Sequence, residues 1–418
     1  MVETGLDVGF VPVETPGTGK TGATNTSTLL IEELSKRHEL TVYVSSQRAA
    51  DPATLPAADR VEYVLHDGLS MLPHPMMTKL RALRPEKRRM GRHDLVHSYS
   101  SGFIPVLADL SVPTLVSLNS YLPVCPKADF RYRGKSKCDG PGAVKCAGCI
   151  ASTAARRRRG VVSELKATYL AAGKGPLVRH SLQRSDAITA FHALSPHLRE
   201  DYADLGFPRD DVTVVPHFYD EQFRPGGACE ADGGTTDEPG QSPTLLYVGA
   251  LQDIKGVDVL LRALPLLRER GRDVELLIAG MGPEESSLRS LADGLSVDEH
   301  VTWLGYVDHD ELPELYRKCD VFVYPGVIDE PFGRVVLEAL ASGTPIVGSD
   351  VGSIDYIVGS AGALFDAGDE RGLADGVERV LNEYPSYRRA VPDQLEQFAP
   401  ETVLEEFLAL YRKTVGRK

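Results

Sequence analysis

The chain has 418 residues, of which 42% are hydrophobic and 25% are charged, and its formal net charge is −13 at pH 7. This length and composition favour two or three globular domains and exclude disorder over most of the chain. No apolar run approaches the roughly 20 residues that a membrane-spanning helix needs, and the N-terminal residues lack the features of a signal peptide. We therefore expect a cytoplasmic protein.

The charge is unevenly distributed along the sequence. Residues 1–220 contain 28 Lys and Arg against 23 Asp and Glu, whereas the remainder contains 18 against 36. Basic clusters at 79–92 and 156–159 could contact anionic lipid at the inner face of a membrane, or an anionic acceptor; the alternative is that both are solvated surfaces. Nothing resembles a nucleic-acid-binding module, so nucleic acid is not an expected partner.

The first half of the chain alternates apolar segments with helical patterns. This alternation predicts a doubly wound parallel sheet. The predicted strands are 6–13, 40–44, 61–65, 94–97, 114–118, 187–191 and 212–216.

The segment from Glu14 to Thr21 follows the first predicted strand and nearly matches a phosphate-binding P-loop. Glu14 stands where that motif requires its first glycine, and a carboxylate there repels phosphate. A nucleoside triphosphatase is therefore disfavoured. The competing interpretation is a glycine-rich loop leading into a helix over 27–34.

Two polar residues follow strands of this domain. Asn119 comes directly after the predicted strand 114–118, and its amide can hydrogen-bond a sugar hydroxyl but cannot shuttle a proton. His97 ends the strand 94–97. We interpret it as a structural residue, with a place in the pocket as the alternative.

Four cysteines lie in one insertion at about 123–150, namely Cys125, Cys138, Cys146 and Cys149. The insertion is poor in apolar residues, so we expect a cross-link or a bound metal to stabilise it. A C-x2-C end with two further thiols is compatible with structural Zn²⁺, and disulfides are disfavoured in the cytoplasm. Structural zinc is the leading hypothesis, with redox disulfides and free thiols as alternatives.

A Gly- and acid-rich stretch at 223–243 predicts a flexible linker or surface loop. Strand–helix alternation then resumes, which predicts a second doubly wound domain over 244–399, and 400–418 has a helical pattern. The predicted strands of this domain are 244–248, 274–279, 301–306, 320–324 and 345–348.

Lys255 follows the strand 244–248 at the start of a predicted helix over 257–270. An ammonium group in this position can neutralise a leaving diphosphate. The alternative is a solvent-facing lysine at a helix start.

Two carboxylates, Glu330 and Glu338, stand eight positions apart around a predicted strand-to-helix turn. Residues 321–325 predict a buried strand, Gly333 the turn, and 335–341 an amphipathic helix. The N-terminus of that helix favours a phosphate above the turn. The two carboxylates could then reach opposite ends of a nucleotide sugar.

With Pro-Phe-Gly between these glutamates and Ala-Leu-Ala-Ser-Gly-Thr-Pro-Ile-Val after the second, the segment resembles the E-x7-E signature of retaining GT-B glycosyltransferases, most closely family 4. The resemblance covers most of the chain. It implies two doubly wound Rossmann-like domains facing across a cleft: an acceptor-side domain at 1–222, and a nucleotide-sugar-binding domain whose following helix, 400–418, packs back on the first domain.

The resemblance also implies roles for individual residues. Glu330 would approach the donor sugar, Glu338 would hold the ribose hydroxyls, Lys255 would stabilise the leaving diphosphate, and Asn119 would line the reaction site. The other residues expected at the donor are Gly22, Gly249, Gly282, Gly305, Phe332, Gly333, Arg334 and Val335. No catalytic metal is implied, and UDP-, GDP- and ADP-sugars all remain open as donors.

The implied reaction moves a sugar to a glycan or lipid-linked acceptor with retention, by front-face attack in which the departing phosphate accepts the proton. Two positions depart from the family pattern: Ala250 replaces an arginine, and Asn119-Ser120 replaces a His-Asp pair. A sugar-nucleotide epimerase of the same fold, and a catalytically weak nucleotide-sugar-binding scaffold, are therefore kept as alternatives.

Overall fold

The computed structural model describes residues 5–18, 22–72, 74–125, 127, 130–133, 136–157, 169, 175–224, 238–240 and 242–417. The chain forms two compact units. One contains the chain up to Pro216 together with Leu404–Lys418, and the other is His217–Val403. Most of the predicted linker lies outside the described residues. Among the described helices, none combines the length and the apolar character needed to cross a bilayer.

The first unit is built on a seven-stranded parallel sheet with the order β3-β2-β1-β4-β5-β8-β9. Its central strands are buried on both faces, as expected for a parallel sheet covered by helices. The strands are β1 (Asp7–Val11), β2 (Glu39–Ser45), β3 (Val61–His66), β4 (Leu95–Ser98), β5 (Thr114–Leu118), β8 (Ala190–Ala193) and β9 (Val212–Val214). A separate antiparallel hairpin joins β6 (Arg131–Tyr132) to β7 (Ser136–Lys137).

The second unit has a six-stranded parallel sheet with the order β12-β11-β10-β13-β14-β15. Its strands are β10 (Thr244–Val248), β11 (Glu275–Ala279), β12 (Val301–Gly305), β13 (Val321–Tyr324), β14 (Ile346–Ser349) and β15 (Gly362–Phe365). In each sheet the strand order reverses beside the first strand, between β1 and β4 in one unit and between β10 and β13 in the other. Open α/β sheets bind ligands at the carboxyl ends of the strands at such points.

Helices connect the strands in both units. In the first unit they are Gly22–Leu34, Pro75–Leu83, Lys87–Met90, Ile104–Leu107, Ala143–Arg157, 175–182 and Pro196–Asp204. In the second they are Val257–Glu269, Glu285–Gly294, Leu312–Lys318, Arg334–Ala341, Ile354–Val358, Glu370–Asn382 and Tyr384–Leu395, and the last helix is Pro400–Gly416.

A buried polar chain ties the last helix to the first sheet. Tyr411 OH lies 2.8 Å from His97 Nδ1, and His97 Nε2 lies 2.8 Å from Ser117 Oγ. Ser117 Oγ is in turn 2.8 Å from His192 Nδ1, and the other ring nitrogen of His192 is 2.6 Å from the Val215 carbonyl oxygen. Burial lowers the pKa of both histidines, that of His192 to about 4. His97 is therefore a structural residue, which agrees with the interpretation from the sequence.

Four features differ from the sequence-based predictions. The strand predicted at 187–191 begins later, at Ala190, because Ser185–Ala187 forms a 3-10 turn. The hairpin β6–β7 and the short strand β15 are absent from the sequence-based prediction, because they have too few residues for a clear periodic pattern. The helix Arg334–Ala341 is not amphipathic, since every residue from Val336 to Ala341 is buried.

Candidate functional site

Lys255 and Glu330 meet beyond the carboxyl ends of two neighbouring strands. Lys255 ends the short turn Asp253–Lys255 that follows β10, and Glu330 lies in the loop after β13. The Lys255 Nζ atom is 2.9 Å from Glu330 Oε2. Lys255 and Glu330 are 75 positions apart in the sequence. Their two loops nevertheless form one charged site at the point where the strand order reverses.

Tyr324, the last residue of β13, completes this group. Its hydroxyl donates to Glu330 Oε2 at 2.5 Å, and the Lys255 ammonium lies 5.8 Å from the centre of its ring. Burial raises the pKa of Glu330, but the charge of Lys255 and the hydrogen bonds from Tyr324 and Lys255 outweigh it, and the pKa is lowered overall. Glu330 is therefore held as a carboxylate that can accept further hydrogen bonds.

Two glycines allow the backbone to pack closely around this carboxylate. Gly333 has φ +90° just before the helix Arg334–Ala341, and a Cβ atom there would lie 2.8 Å from the Ile354 side chain. Gly352 has φ +60°, and a Cβ atom there would lie 2.3 Å from the Glu330 backbone nitrogen. Both positions therefore require glycine. Gly352, in the turn that follows β14, allows that turn to pack against the backbone of the Glu330 loop.

Glu338 lies on the helix Arg334–Ala341 and is buried, with 4% of its surface exposed. The Tyr316 hydroxyl donates to Glu338 Oε2 at 3.3 Å, and His309 Nε2 lies 3.4 Å from Glu338 Oε1. Arg334 Nε is 3.7 Å from the same oxygen. The hydrogen bond to Glu338 raises the pKa of His309. The second glutamate is thus a buried carboxylate surrounded by donors.

The loops after β10, β11 and β12 pack backbone against backbone. The Gly249 N–H donates to the Ala279 carbonyl at 3.0 Å, and the Gly280 N–H donates to the Gly305 carbonyl at 2.7 Å. Gly282 packs against the carbonyl of Leu251, which is 2.2 Å from where its Cβ would be. The three predicted nucleotide-loop glycines, Gly249, Gly282 and Gly305, therefore lie in adjoining loops at one edge of the sheet.

The remaining donor-site predictions fall around the start of the helix Arg334–Ala341. Phe332 is 3% exposed, and its ring packs 4.7 Å from the ring of His217 and 6.1 Å from that of Phe398. The Phe332 side chain therefore packs in the interior of the second unit. Arg334 and Val335 are half-buried in the first helical turn.

The predicted residues of the first unit lie on its own sheet edge. Asn119 is 8% exposed, and its Nδ2 donates to the Tyr99 carbonyl at 2.7 Å. Its Oδ1 has no hydrogen-bond partner among the described residues. Gly22 begins the helix Gly22–Leu34. The preceding P-loop-like residues 19–21 lie outside the described part of the chain.

The four cysteines of the insertion converge in the first unit. They line one small cavity of about 20 Å³ together with three basic side chains, and they are thiols. In the described residues no three or more His, Cys, Asp or Glu side chains are positioned to hold a metal ion. Cys138 donates to the Gly140 carbonyl, and Cys149 accepts from the Arg133 N–H at 3.1 Å. Structural zinc held by these four cysteines stays a prediction. We call Cys125, Cys138, Cys146 and Cys149 the thiol cluster.

Three of the seven basic residues of the cluster at 79–92 form ion pairs within the protein. Lys79 is buried and pairs with Glu14 at 2.7 Å, and Lys87 and Arg89 pair with Asp109 and Glu62. Four arginines of this cluster are exposed: Arg81, Arg84, Arg88 and Arg92. The side chains of the cluster at 156–159 lie outside the described residues.

Sequence reasoning missed Tyr324, Tyr316 and His309. Each stands near a strand or helix end, but a single tyrosine or histidine carries no spacing signal. Tyr324 had one available signal, since it is the last residue of a predicted strand and stands six positions before Glu330. The other two are brought to Glu338 by packing of separate helices and loops.

Comparisons with known proteins agree with this arrangement. Residues 20–223 match the family model described as Glycosyltransferase Family 4, and residues 232–394 match the one described as Glycosyl transferases group 1. Over 146 residues the chain is 42% identical to a phosphatidyl-myo-inositol mannosyltransferase of Mycobacterium leprae, covering 34% of this chain and 38% of that protein.

Over 216 residues the chain is 32% identical to a GDP-mannose-dependent alpha-(1-6)-phosphatidylinositol monomannoside mannosyltransferase of Mycobacterium tuberculosis, covering 49% of this chain and 56% of that one. The chain thus spans about half the length of these relatives or less. Among solved structures, Anabaena HepE in complex with UDP matches with a TM-score of 0.68 and 16% identity, covering 98% of this chain and 100% of HepE. The chain belongs to glycosyltransferase family 4 and has the two Rossmann-like domains of the GT-B fold.

Proposed function

We propose that the protein transfers a sugar from a nucleotide-sugar donor to a glycan or lipid-linked acceptor, with retention at the anomeric carbon. The single observation that carries the proposal is the group of Lys255, Glu330 and Tyr324 beside the start of the helix Arg334–Ala341. It combines a cation and a carboxylate with the N-terminus of a helix at one sheet edge. Such a set suits a sugar diphosphate better than a neutral glycan.

Each residue has a proposed role in donor binding. The Lys255 ammonium would turn to the diphosphate, to which the start of the helix Arg334–Ala341 also contributes positive potential. Glu330 would orient the sugar, and Glu338 would accept hydrogen bonds from the ribose hydroxyls. With Ala250 in place of the family arginine, the diphosphate would depend on Lys255 and Arg334.

In the proposed reaction the acceptor hydroxyl oxygen forms a bond to the anomeric carbon on the face that the diphosphate leaves. The bond from that carbon to the phosphate oxygen breaks, and its electron pair stays on the diphosphate. The acceptor proton passes to a phosphate oxygen, so no protein base is required. Asn119 would hydrogen-bond a sugar hydroxyl through its buried Oδ1.

Membrane contact belongs to the same proposal. The exposed arginines of the segment 79–92 would hold the first unit near anionic lipid, with about 1 kcal/mol for each basic residue close to the surface. The two mycobacterial relatives are named for phosphatidylinositol-based acceptors, which supports an acceptor presented at a membrane.

The test is a turnover assay with UDP-, GDP- and ADP-sugars, with and without an acceptor preparation. We expect one sugar nucleotide to release its nucleoside diphosphate only when the acceptor is present, and Glu330→Gln to lower the rate of this release. An epimerase would convert the sugar nucleotide without acceptor. A scaffold would bind it and release nothing, and either result would overturn the proposal.

A further inference from the structure

The first unit contains a cavity of about 350 Å³. Val13 and Glu14, which follow β1, and Ser100 and Ser101, which follow β4, contribute to its lining. The cavity therefore lies at the reversal of strand order in this sheet, where open α/β folds bind ligands. Its volume falls within the roughly 300–1,000 Å³ of small-molecule sites.

The lining is divided by chemistry. The serines at the strand ends supply hydroxyl groups. Most of the other lining residues are apolar. The apolar wall includes Met76, Leu122, Val124, Ile150, Val178 and Phe207. A fully sugar-like ligand would leave this apolar surface without favourable contacts, because only apolar atoms gain from its burial.

The cation in the cavity is already neutralised. Lys79 has a side chain that is 6% exposed and pairs with Glu14 at 2.7 Å. Its Nζ also donates to the Val13 carbonyl at 2.9 Å. A ligand charge is therefore not needed to balance the site, since a buried charge with a close partner is already compensated.

The cysteine-bearing insertion supplies three residues of the apolar wall, namely Pro123, Val124 and Ile150. Ile150 lines both the large cavity and the small cavity of the thiol cluster. Lys137 of β7 pairs with the buried Asp201 at 2.5 Å, and Tyr121 donates to the same carboxylate. Tyr121 also stacks on Phe130 with ring centres 5.3 Å apart. The insertion is thus fixed to the rest of the first unit by an ion pair to a buried carboxylate and by aromatic packing.

The apolar surface continues out of the cavity. Leu122 lines the cavity and is also 49% exposed. Leu72 and Met71, which precede the cavity-lining residues His74 to Met76, are 69% and 42% exposed. An apolar chain lying in the cavity can therefore extend along exposed apolar side chains.

We propose that this cavity binds the apolar chain of an amphipathic acceptor, with the reacting hydroxyl on the side of the strand-end serines. The acceptor class is a glycoside or headgroup carrying an alkyl-type chain, and the cysteine-bearing insertion determines this specificity. The inference rests on the proposed transferase function and narrows its acceptor to the lipid-linked class. Free glycans are the class that it excludes.

The test uses hexyl glucoside and methyl glucoside as probes, with binding to the full chain measured by calorimetry in the absence of any sugar nucleotide. We expect hexyl glucoside to bind at least about tenfold more tightly, since burial of as few as two methylene groups is worth that much. Ile150→Asn and the half-exposed Leu122→Asn should each remove most of this preference. Val144→Asn, an 89% exposed position on the same helix as Ile150, should leave it unchanged.

Circular dichroism and binding of UDP, GDP and ADP to the second unit serve as folding controls for each variant. Equal binding of the two probes would overturn the inference, and so would a preference that survives both Ile150→Asn and Leu122→Asn. In either case sugar transfer to another acceptor would leave the proposed function intact. A preference for hexyl glucoside without transfer from any sugar nucleotide would instead remove the transferase while supporting the cavity's apolar specificity.

Discussion

The Lys255 ammonium lies 2.9 Å from the Glu330 carboxylate although 75 positions separate the two residues. Without a ligand the pair satisfies both charges at the sheet edge. A diphosphate would compete with Glu330 for the same ammonium, so donor binding would release the carboxylate toward the sugar. On the proposed function, the ion pair would therefore be a resting arrangement that holds both groups in position for a donor.

Replacing either member of this pair should lower kcat. Lys255→Ala should lose about 2–4 kcal/mol of transition-state stabilisation, by analogy with loss of an oxyanion donor, and Glu330→Gln should act mainly on kcat. Because the two groups are in contact, the double variant should lose less transition-state stabilisation than the sum of the losses in the two single variants. Steady-state kinetics of the three variants provides the cycle. A loss under tenfold for Lys255→Ala would show that another group stabilises the leaving phosphate.

Glu338→Gln should raise the donor KM at least about tenfold and change kcat little, because a ribose contact is made equally in the ground state and the transition state. The control is Tyr316→Phe, which removes the hydroxyl that donates to Glu338 at 3.3 Å and keeps the carboxylate. Unchanged KM in Glu338→Gln would show that the buried carboxylate serves only to pair with its neighbours.

The charge of His309 should depend on Glu338. Its pKa is raised by the hydrogen bond to Glu338 and further by Asp220, while Arg334 opposes this rise and burial lowers it. The raised pKa means that the stabilisation is fully present below the ordinary histidine pKa of about 6.5 and is lost as pH rises through the folded-state value. Titration by NMR should place His309 above that ordinary value. In Glu338→Gln the pKa should fall, and an unchanged pKa would contradict the pairing.

The buried histidines of the first unit should have the opposite pH dependence. The pKa of His192 is lowered by burial to about 4, so the unfolded chain binds a proton that the folded chain excludes between about pH 6.5 and 4. The free energy of unfolding should therefore fall with decreasing pH by up to about 1.4 kcal/mol per pH unit from this residue. His192→Asn should reduce that slope in denaturant titrations from pH 7 to 5. An identical slope in both proteins would contradict the assignment.

Tyr411→Phe should destabilise the first unit by about 1–3 kcal/mol, because it leaves the buried His97 Nδ1 without the hydroxyl that lies 2.8 Å away. Denaturant unfolding measures this loss. The control is Tyr356→Phe in the second unit, which removes a tyrosine hydroxyl that is not part of the buried polar chain. Equal stability of wild type and Tyr411→Phe would show that the buried chain is not needed to hold the last helix.

Binding to vesicles should require anionic lipid and should weaken with salt, because exposed charges are screened at high ionic strength. Co-sedimentation at low and high salt should show loss of binding when four exposed arginines of the first unit are replaced by serine, namely Arg81, Arg84, Arg88 and Arg92. The control replaces four exposed arginines of the second unit, namely Arg262, Arg268, Arg371 and Arg379. Equal partition to neutral and anionic vesicles would contradict the charge-based proposal.

The sequence by itself determined the two parallel sheets and the glutamate pair. Apolar segments such as 114–118 and 321–325 are continuous because parallel strands are buried on both faces, and this pattern is local. The turn at Gly333 and the spacing from Glu330 to Glu338 are likewise set within a few residues. Local patterns of this kind can be read without knowing what packs against them.

Tertiary structure alone decided the partners of these residues. Tyr324, Lys255 and Glu330 form one group only because the strand order brings β10 and β13 side by side, and Tyr316 reaches Glu338 only through packing of separate helices. The spacing of the four cysteines predicts a zinc site, but only the tertiary structure brings all four to one small cavity. Such contacts depend on distances between chain segments far apart in the sequence, which no local pattern encodes.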